Sequence, residues 1–130
     1  MCPCCDGSPR SDAPNVLSWT AGESYLPLLK GPPMTRGMRS GRVDLGPGDQ
    51  IGLHNTGLHE EVLVVIEGCG VAELAGRDPI RIQAGQVLYV PPDTAHNIHN
   101  LTCPRLRYLF VVAPVAPVAP AAPAADTHPH

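Results

Sequence analysis

The sequence predicts an all-β fold, a sandwich or jelly-roll barrel, and three observations carry that prediction. Short runs of strand character follow one another at 50–54, 61–66, 70–74, 80–83, 87–90, 97–100 and 105–112, with turn-forming residues about every eight to twelve positions. Helical periodicity is convincing nowhere along the chain. Between Glu61 and Ile66 the period of two puts Glu61, Leu63 and Val65 on one face and Val62, Val64 and Ile66 on the other. Both faces are apolar apart from the one carboxylate, so both need a covering layer. A jelly roll provides one and is among the few ways to dispose of sheet edges.

Taken in order, residues 1–15 are polar and rich in Cys, Pro, Ser and Asp, a composition that cannot bury enough apolar surface to offset ordering entropy, and a flexible tail is expected. Residues 16–34 are more apolar and are expected to pack on the barrel. Within them, 25–29 (Tyr-Leu-Pro-Leu-Leu) reads as an edge strand, where Pro27 is tolerated because one backbone side goes unpaired. Gly31, Pro32 and Pro33 mark a turn. The barrel is expected over 35–113, opening with a strand at 38–45 and the turn Gly46-Pro47-Gly48-Asp49. Residues 114–130 form the last segment. From Ala113 to Ala125 the chain repeats Ala-Pro and Val-Ala-Pro units, which favour extended polyproline II and leave no amide ladder for a sheet.

At 130 residues and 43% hydrophobic content the chain suits one domain with one core. A net charge of −3, scattered arginines and a single lysine give no concentrated basic face for a phosphate backbone, so nucleic acid is not an expected partner. No apolar run reaches bilayer length and the N-terminus lacks the features of a signal peptide, so no membrane association is expected and the cytoplasm is the expected location. Five cysteines are an odd count, three of them (Cys2, Cys4 and Cys5) crowded at the start. This is not a disulfide framework. The Cys-Pro-Cys-Cys start has soft-metal ligands but no second pair at zinc-site spacing. Cys69 and Cys103 are expected to be free, packed as small apolar side chains.

The residues that could carry chemistry lie in two glycine-bounded blocks. In the first, Gly48, five residues, His54, one residue, Thr56, four residues, Glu61, six residues and Gly68 follow in order; in the second, Gly85, Pro91, Asp93, His96 and Asn100. The blocks resemble the two motifs of the cupin superfamily, with threonine at the second histidine of the first motif and aspartate at the middle glycine of the second. Aspartate is a mild departure, since it tolerates tight-turn backbone. The resemblance covers about fifty residues of the expected core. It implies a double-stranded β-helix, and a metal held in the barrel by His54, Glu61 and His96.

The residues support that ligand set independently. If Leu63 and Val65 point inward so does Glu61, and a carboxylate facing an apolar interior must be paired, protonated or metal-bound. His96 follows the rigid turn Pro91-Pro92-Asp93-Thr94-Ala95, and neutral imidazole suits iron, manganese, nickel, zinc or copper. Two histidines and one carboxylate are also the donor set of mononuclear non-haem iron sites. Thr56 is a weak donor, better suited to holding a metal-bound water, and His59 is the candidate fourth ligand if it folds back. His99 is out of phase with His96 and should point away; Asn100 should tie a turn.

Tyr108 and Phe110 share one face of the last strand and Arg105 and Arg107 the other. Inward aromatics would give an apolar wall, and inward arginines would suggest an anionic substrate. Tyr89 is expected in core packing. The functional expectation is therefore one divalent transition metal and a small organic molecule inside the barrel. Dioxygenase, isomerase and lyase activities all occur among cupins, so the resemblance does not choose between them. The alternative is a non-catalytic binding or sensing cupin, with or without metal. A two-fold homodimer is expected to cover the second apolar face of 61–66.

Overall fold

The computed structural model describes residues 13–116. The Cys-rich start, the Ala/Pro repeat beyond 116, and His128 and His130 lie outside them. The described chain is all β: β1 (Tyr25–Lys30), β2 (Arg39–Leu45), β3 (His59–Glu67), β4 (Cys69–Leu74), β5 (Ile80–Gln83), β6 (Val87–Val90), β7 (His96–His99) and β8 (Leu106–Pro114). Two antiparallel sheets result, one ordered β1-β2-β8-β3-β6 and the other β5-β4-β7. Among the described residues no helix is long and apolar enough to cross a membrane.

Alternation along the strands builds the core. Val43 and Leu45 of β2, Leu63 and Val65 of β3, Ala72 and Leu74 of β4, Ile98 of β7, and Leu106 and Tyr108 of β8 are all buried between the sheets, where each large apolar side chain contributes about 1.5–3 kcal/mol. Several close approaches require glycine, Gly68 and Gly41 among them. A Cβ at Gly68, which has φ +82°, would lie 1.8 Å from the Arg105 carbonyl oxygen, and the tight passage from β3 to β4 depends on that space. At Gly41 it would meet the Phe110 ring at 2.8 Å, so Gly41 is what lets Phe110 lie flat over β2.

The turn before β7 is built as the sequence suggests, with Asp93 at φ 51°. Asn100 is fully buried and donates through Nδ2 to the carbonyls of Leu45 (2.8 Å) and Cys103 (2.9 Å), closing the turn into β8.

The outer face of the larger sheet carries its own charged cluster. Arg42, 1% exposed, donates to the carbonyls of Trp19 (2.6 Å) and Glu23, and Asp44 takes both Nε and Nη2 of Arg107, at 2.7 and 3.0 Å. The Trp19 ring lies against the Arg107 guanidinium at 5.6 Å. These bonds fasten the segment ahead of β1 onto β2 and β8.

Four expectations are corrected. The run 50–54 is not a continuous strand: it meets β7 only at two isolated bridges, Gln50↔His99 and His54↔His96, with one extra residue between them at Gly52 and Leu53. Strand β8 continues through Ala113 and Pro114, paired with Glu60 and His59, because a ladder's last residues can lack one donor. Tyr89 is 54% exposed, its hydroxyl donating to Glu60 at 2.9 Å, since β6 alternates outward at that position. Finally, Cys69 and Cys103 are joined as a disulfide with Cα atoms 6.0 Å apart. Nothing in their sequence spacing signals the pair, which the fold creates by laying the β7–β8 turn beside the start of β4.

Candidate functional site

Local chain geometry brings His54 and His96 together. The His54 amide donates to the His96 carbonyl at 3.0 Å and the His96 amide to the His54 carbonyl at 2.9 Å, a hydrogen-bonded antiparallel pair whose side chains leave on the same side. Their rings lie 4.1 Å apart between centroids. The extra residue at Gly52 and Leu53 is what sets His54, rather than Leu53, opposite His96. Glu61 reaches the same point from the opposite sheet, on the inward face of β3 with Leu63 and Val65.

One ligand atom from each of His54, Glu61 and His96 can be chosen so that all three lie within 4.8 Å of one another. Glu61 and His96 are buried, at 6% and 1% exposure, and His54 is the most open of the three. Both imidazoles are oriented by the backbone: Nδ1 of His54 lies 2.8 Å from the Gly52 carbonyl oxygen and Nδ1 of His96 lies 2.8 Å from that of Thr94. A carbonyl can only accept, so each Nδ1 carries a proton and donates it. Each Nε2 is then the nitrogen that could coordinate a metal, since a carbonyl on the other nitrogen is how metal-ligating histidines are usually held.

The Nε2 of His96 lies 2.8 Å from Glu61 Oε1. Burial works to lower the His96 pKa, but the bond to Glu61 and the one to Thr94 outweigh it and the net shift is upward. In the absence of a cation the pair shares a proton. A divalent cation would take that proton's place, so this donor set fits one chemically.

His59 opens β3 two residues before Glu61, on the same face by the strand's period. It lines the same cavity, and its Nδ1 lies 2.9 Å from the Thr56 carbonyl oxygen. The cluster within 4.8 Å consists of His54, Glu61 and His96. Thr56 also lines the cavity, its hydroxyl donating to the His59 carbonyl at 3.2 Å. His99 faces the other way, its Nε2 paired with Glu73.

The cavity holds about 670 Å³ and is walled by Tyr25, Leu63, Ile98, Tyr108, Phe110 and Val112. That resolves the orientation of β8: the aromatics face in, and Arg107 faces out to Asp44. Burial foremost, with the charge of Glu61 and the presence of Tyr25, pushes the Tyr108 hydroxyl far above the usual phenol range. It therefore faces the cavity as a neutral O–H. The sequence reading did not single out two cations at the cavity's rim, Lys30 and Arg39.

Residues 41–112 match the family model described as the cupin domain. In solved structures the chain is similar to an RmlC-like cupin with a double-stranded β-helix from Methanocaldococcus jannaschii, at 25% identity and TM-score 0.56 over 59% of this chain and 70% of that one. It is similar also to a predicted oxalate decarboxylase from Thermotoga maritima, at 28% identity and TM-score 0.56 over 59% of this chain and 66% of that one. A Bacillus halodurans protein superimposes with TM-score 0.68 over 84% of this chain and 86% of its own, at 19% identity, which speaks for the fold alone. No curated protein matches the chain by sequence.

Proposed function

Because the chain belongs to the cupin family, we propose that its barrel holds one divalent transition metal on His54, Glu61 and His96 and acts there on a small organic molecule. The observation that carries this reading is the convergence of three donor atoms within 4.8 Å, two of them imidazole nitrogens fixed by backbone carbonyls. Imidazole with carboxylate suits iron, manganese, nickel, zinc or copper and disfavours calcium and magnesium. When bound, such an ion would supply Lewis acidity to a molecule in the cavity.

The chain's own residues do the rest. Phe110, Val112 and Leu63 exclude water around the ligand, and Tyr108 offers it one neutral hydrogen-bond donor. His59 is the proposed fourth ligand, close enough in the strand to follow Glu61 into the site, and Thr56 braces the loop that holds it. Similarity to a predicted oxalate decarboxylase supports an organic substrate. The proposal keeps the cytoplasm as its location and includes a two-fold dimer, because Val87 and Tyr89 of β6 stand 63% and 54% exposed beside Ile66 at 37%.

A second reading, a non-catalytic binding or sensing barrel, has one observation in its favour: Glu61 and His96 already satisfy each other at 2.8 Å. Elemental analysis of protein purified without affinity tag or chelator separates the two. Stoichiometric iron, manganese, nickel, zinc or copper is the expected result. A chain that arrives empty and takes up none of these ions leaves the sensing reading in its place.

A further inference from the structure

We infer that Lys30 and Arg39 form a carboxylate-binding clamp at the mouth of the cavity, and that its ligand is a small organic acid with an apolar, preferably planar, body. The inference rests on the reading of this cavity as a ligand site and goes beyond it by naming the class of ligand.

Lys30 and Arg39 are direct partners across the β1–β2 ladder, and both line the cavity. Position 39 has the parity of Val43 and Leu45, which point into the core, so its inward placement follows from regular alternation. Lys30 gets there differently. Between Pro27↔Gly41 and Lys30↔Arg39 the register slips by one residue; without that bulge Leu29 would stand opposite Arg39. The Leu29 amide is satisfied at the irregularity by the Ser40 hydroxyl at 3.3 Å. Bulges re-aim side chains beside binding sites, and here the chain's single lysine is turned onto the cavity side.

Like charges directly opposite each other on a sheet destabilise it. Among the described residues no carboxylate forms an ion pair with Lys30 or with Arg39. Nor does the cavity supply one: among the described residues the only carboxylate in its lining is Glu61, already bonded to His96. Two facing cations on a chain of net charge −3 are not a by-product of a basic surface. An anion bridging the two would relieve the repulsion, and a guanidinium with an ammonium is a donor set for a carboxylate.

Between the clamp and the imidazoles the wall is apolar and aromatic. Tyr25 and Phe110 lie 6.0 Å apart between ring centroids, the first on β1 with Lys30 and the second on β8 beside β2. A ligand anchored by its carboxylate at Lys30 and Arg39 would lay its body over these rings and direct its far end toward His54, Glu61 and His96. A cavity of about 670 Å³ accommodates a molecule of that kind.

The test is calorimetric titration with benzoate and hexanoate, each against its own amide, on protein whose metal content is measured in the same samples. Each acid is expected to bind at least roughly tenfold tighter than its amide, and K30Q and R39Q each to weaken acid binding roughly tenfold while leaving the amide unchanged. Without ligand, both variants are expected to melt no lower than the native chain, because each removes one of two repelling charges. Failure of both acids to bind, equal binding of acid and amide, or undiminished acid binding by the double variant would overturn the clamp. The metal reading fails separately. A metal-free chain that still prefers the acids keeps the clamp and loses the metal, whereas a metal-loaded chain without that preference does the reverse.

Discussion

Arg39 and Arg42 stand three residues apart on β2 and answer opposite demands. Arg42 points to the outer face, is 1% exposed, and spends its donors on the carbonyls of Trp19, Ala21 and Glu23, with Asp44 Oδ2 3.6 Å from its Nε. Arg39 points to the cavity, stays open to solvent, and faces Lys30 instead of an acid. The fold bonds both terminal nitrogens of one guanidinium to its own carbonyls, leaving only the buried Arg42 Nε without a hydrogen bond, and gives the other no carboxylate of its own among the described residues. The same contrast runs across the whole larger sheet. On its outer face Arg42, Asp44 and Arg107 form a cluster of their own; on its inner face Glu61, Lys30 and Arg39 line the cavity. Arg42 and Arg107 are bonded mainly within their own chain and serve the fold, whereas Lys30 and Arg39 face the cavity without an acid of their own, as the proposed clamp requires.

The sharpest break in that comparison is at the imidazole end. His96→Ala removes a fixed nitrogen from the three-donor cluster and is expected to weaken divalent-metal binding roughly a thousandfold, about 4 kcal/mol. His99→Ala, on the other side of β7 and paired with Glu73, should leave it within about threefold. Competition titration against a fluorescent chelator reads both. Equal retention by the two variants would show that the inner face is not a metal site.

The next prediction sets the two arginines against each other. Arg42→Met leaves the carbonyls of Trp19 and Glu23 without their buried donor and Asp44 with one cation fewer, and a loss of about 3 kcal/mol in urea unfolding is expected. Arg39→Gln should shift stability by no more than about 0.5 kcal/mol. If Arg39→Gln costs as much as Arg42→Met, the division between structural and ligand-facing charge fails.

How much of this was legible in the sequence follows the same division. Strand positions came from alternation, and alternation also placed Glu61 inward with Leu63 and Val65, as β3 has it. Turn chemistry at Asp93 and the capping of the β7–β8 turn by Asn100 were readable because both are local. What escaped were effects of register and of distant approach. One extra residue at Gly52 and Leu53 sets His54 against His96, and another at Leu28 and Leu29 sets Lys30 against Arg39. A slip of one residue reverses which side chains face inward, and composition carries no mark of it. The Cys69–Cys103 disulfide escaped for a related reason: its halves are 34 residues apart and meet only after β4 and the β7–β8 turn are in place. His59 was within reach, since its offset of two from Glu61 already put both on one face of the strand.

The smallest expected effect concerns Asp44, the anion at the centre of the outer cluster. The Arg107 hydrogen bonds lower its pKa below the ordinary 3.8; burial opposes them, and the charges of Arg107, Arg42 and Arg105 add to the lowering. A carboxyl whose folded pKa is depressed adds stability that is fully present above its unfolded pKa and is lost as pH falls through the folded one. Asp44→Asn should therefore cost about 1 kcal/mol at neutral pH, the scale of a partly solvated, two-pronged pair. Below pH 3.8 the gap should narrow, and it should close once the native Asp44 is itself protonated. Denaturation curves for the two chains across the acid range measure this directly. A gap that stays constant to the lowest pH would trace the cost to packing and not to charge, and the outer face would then be held by the Trp19 and Arg42 contacts alone.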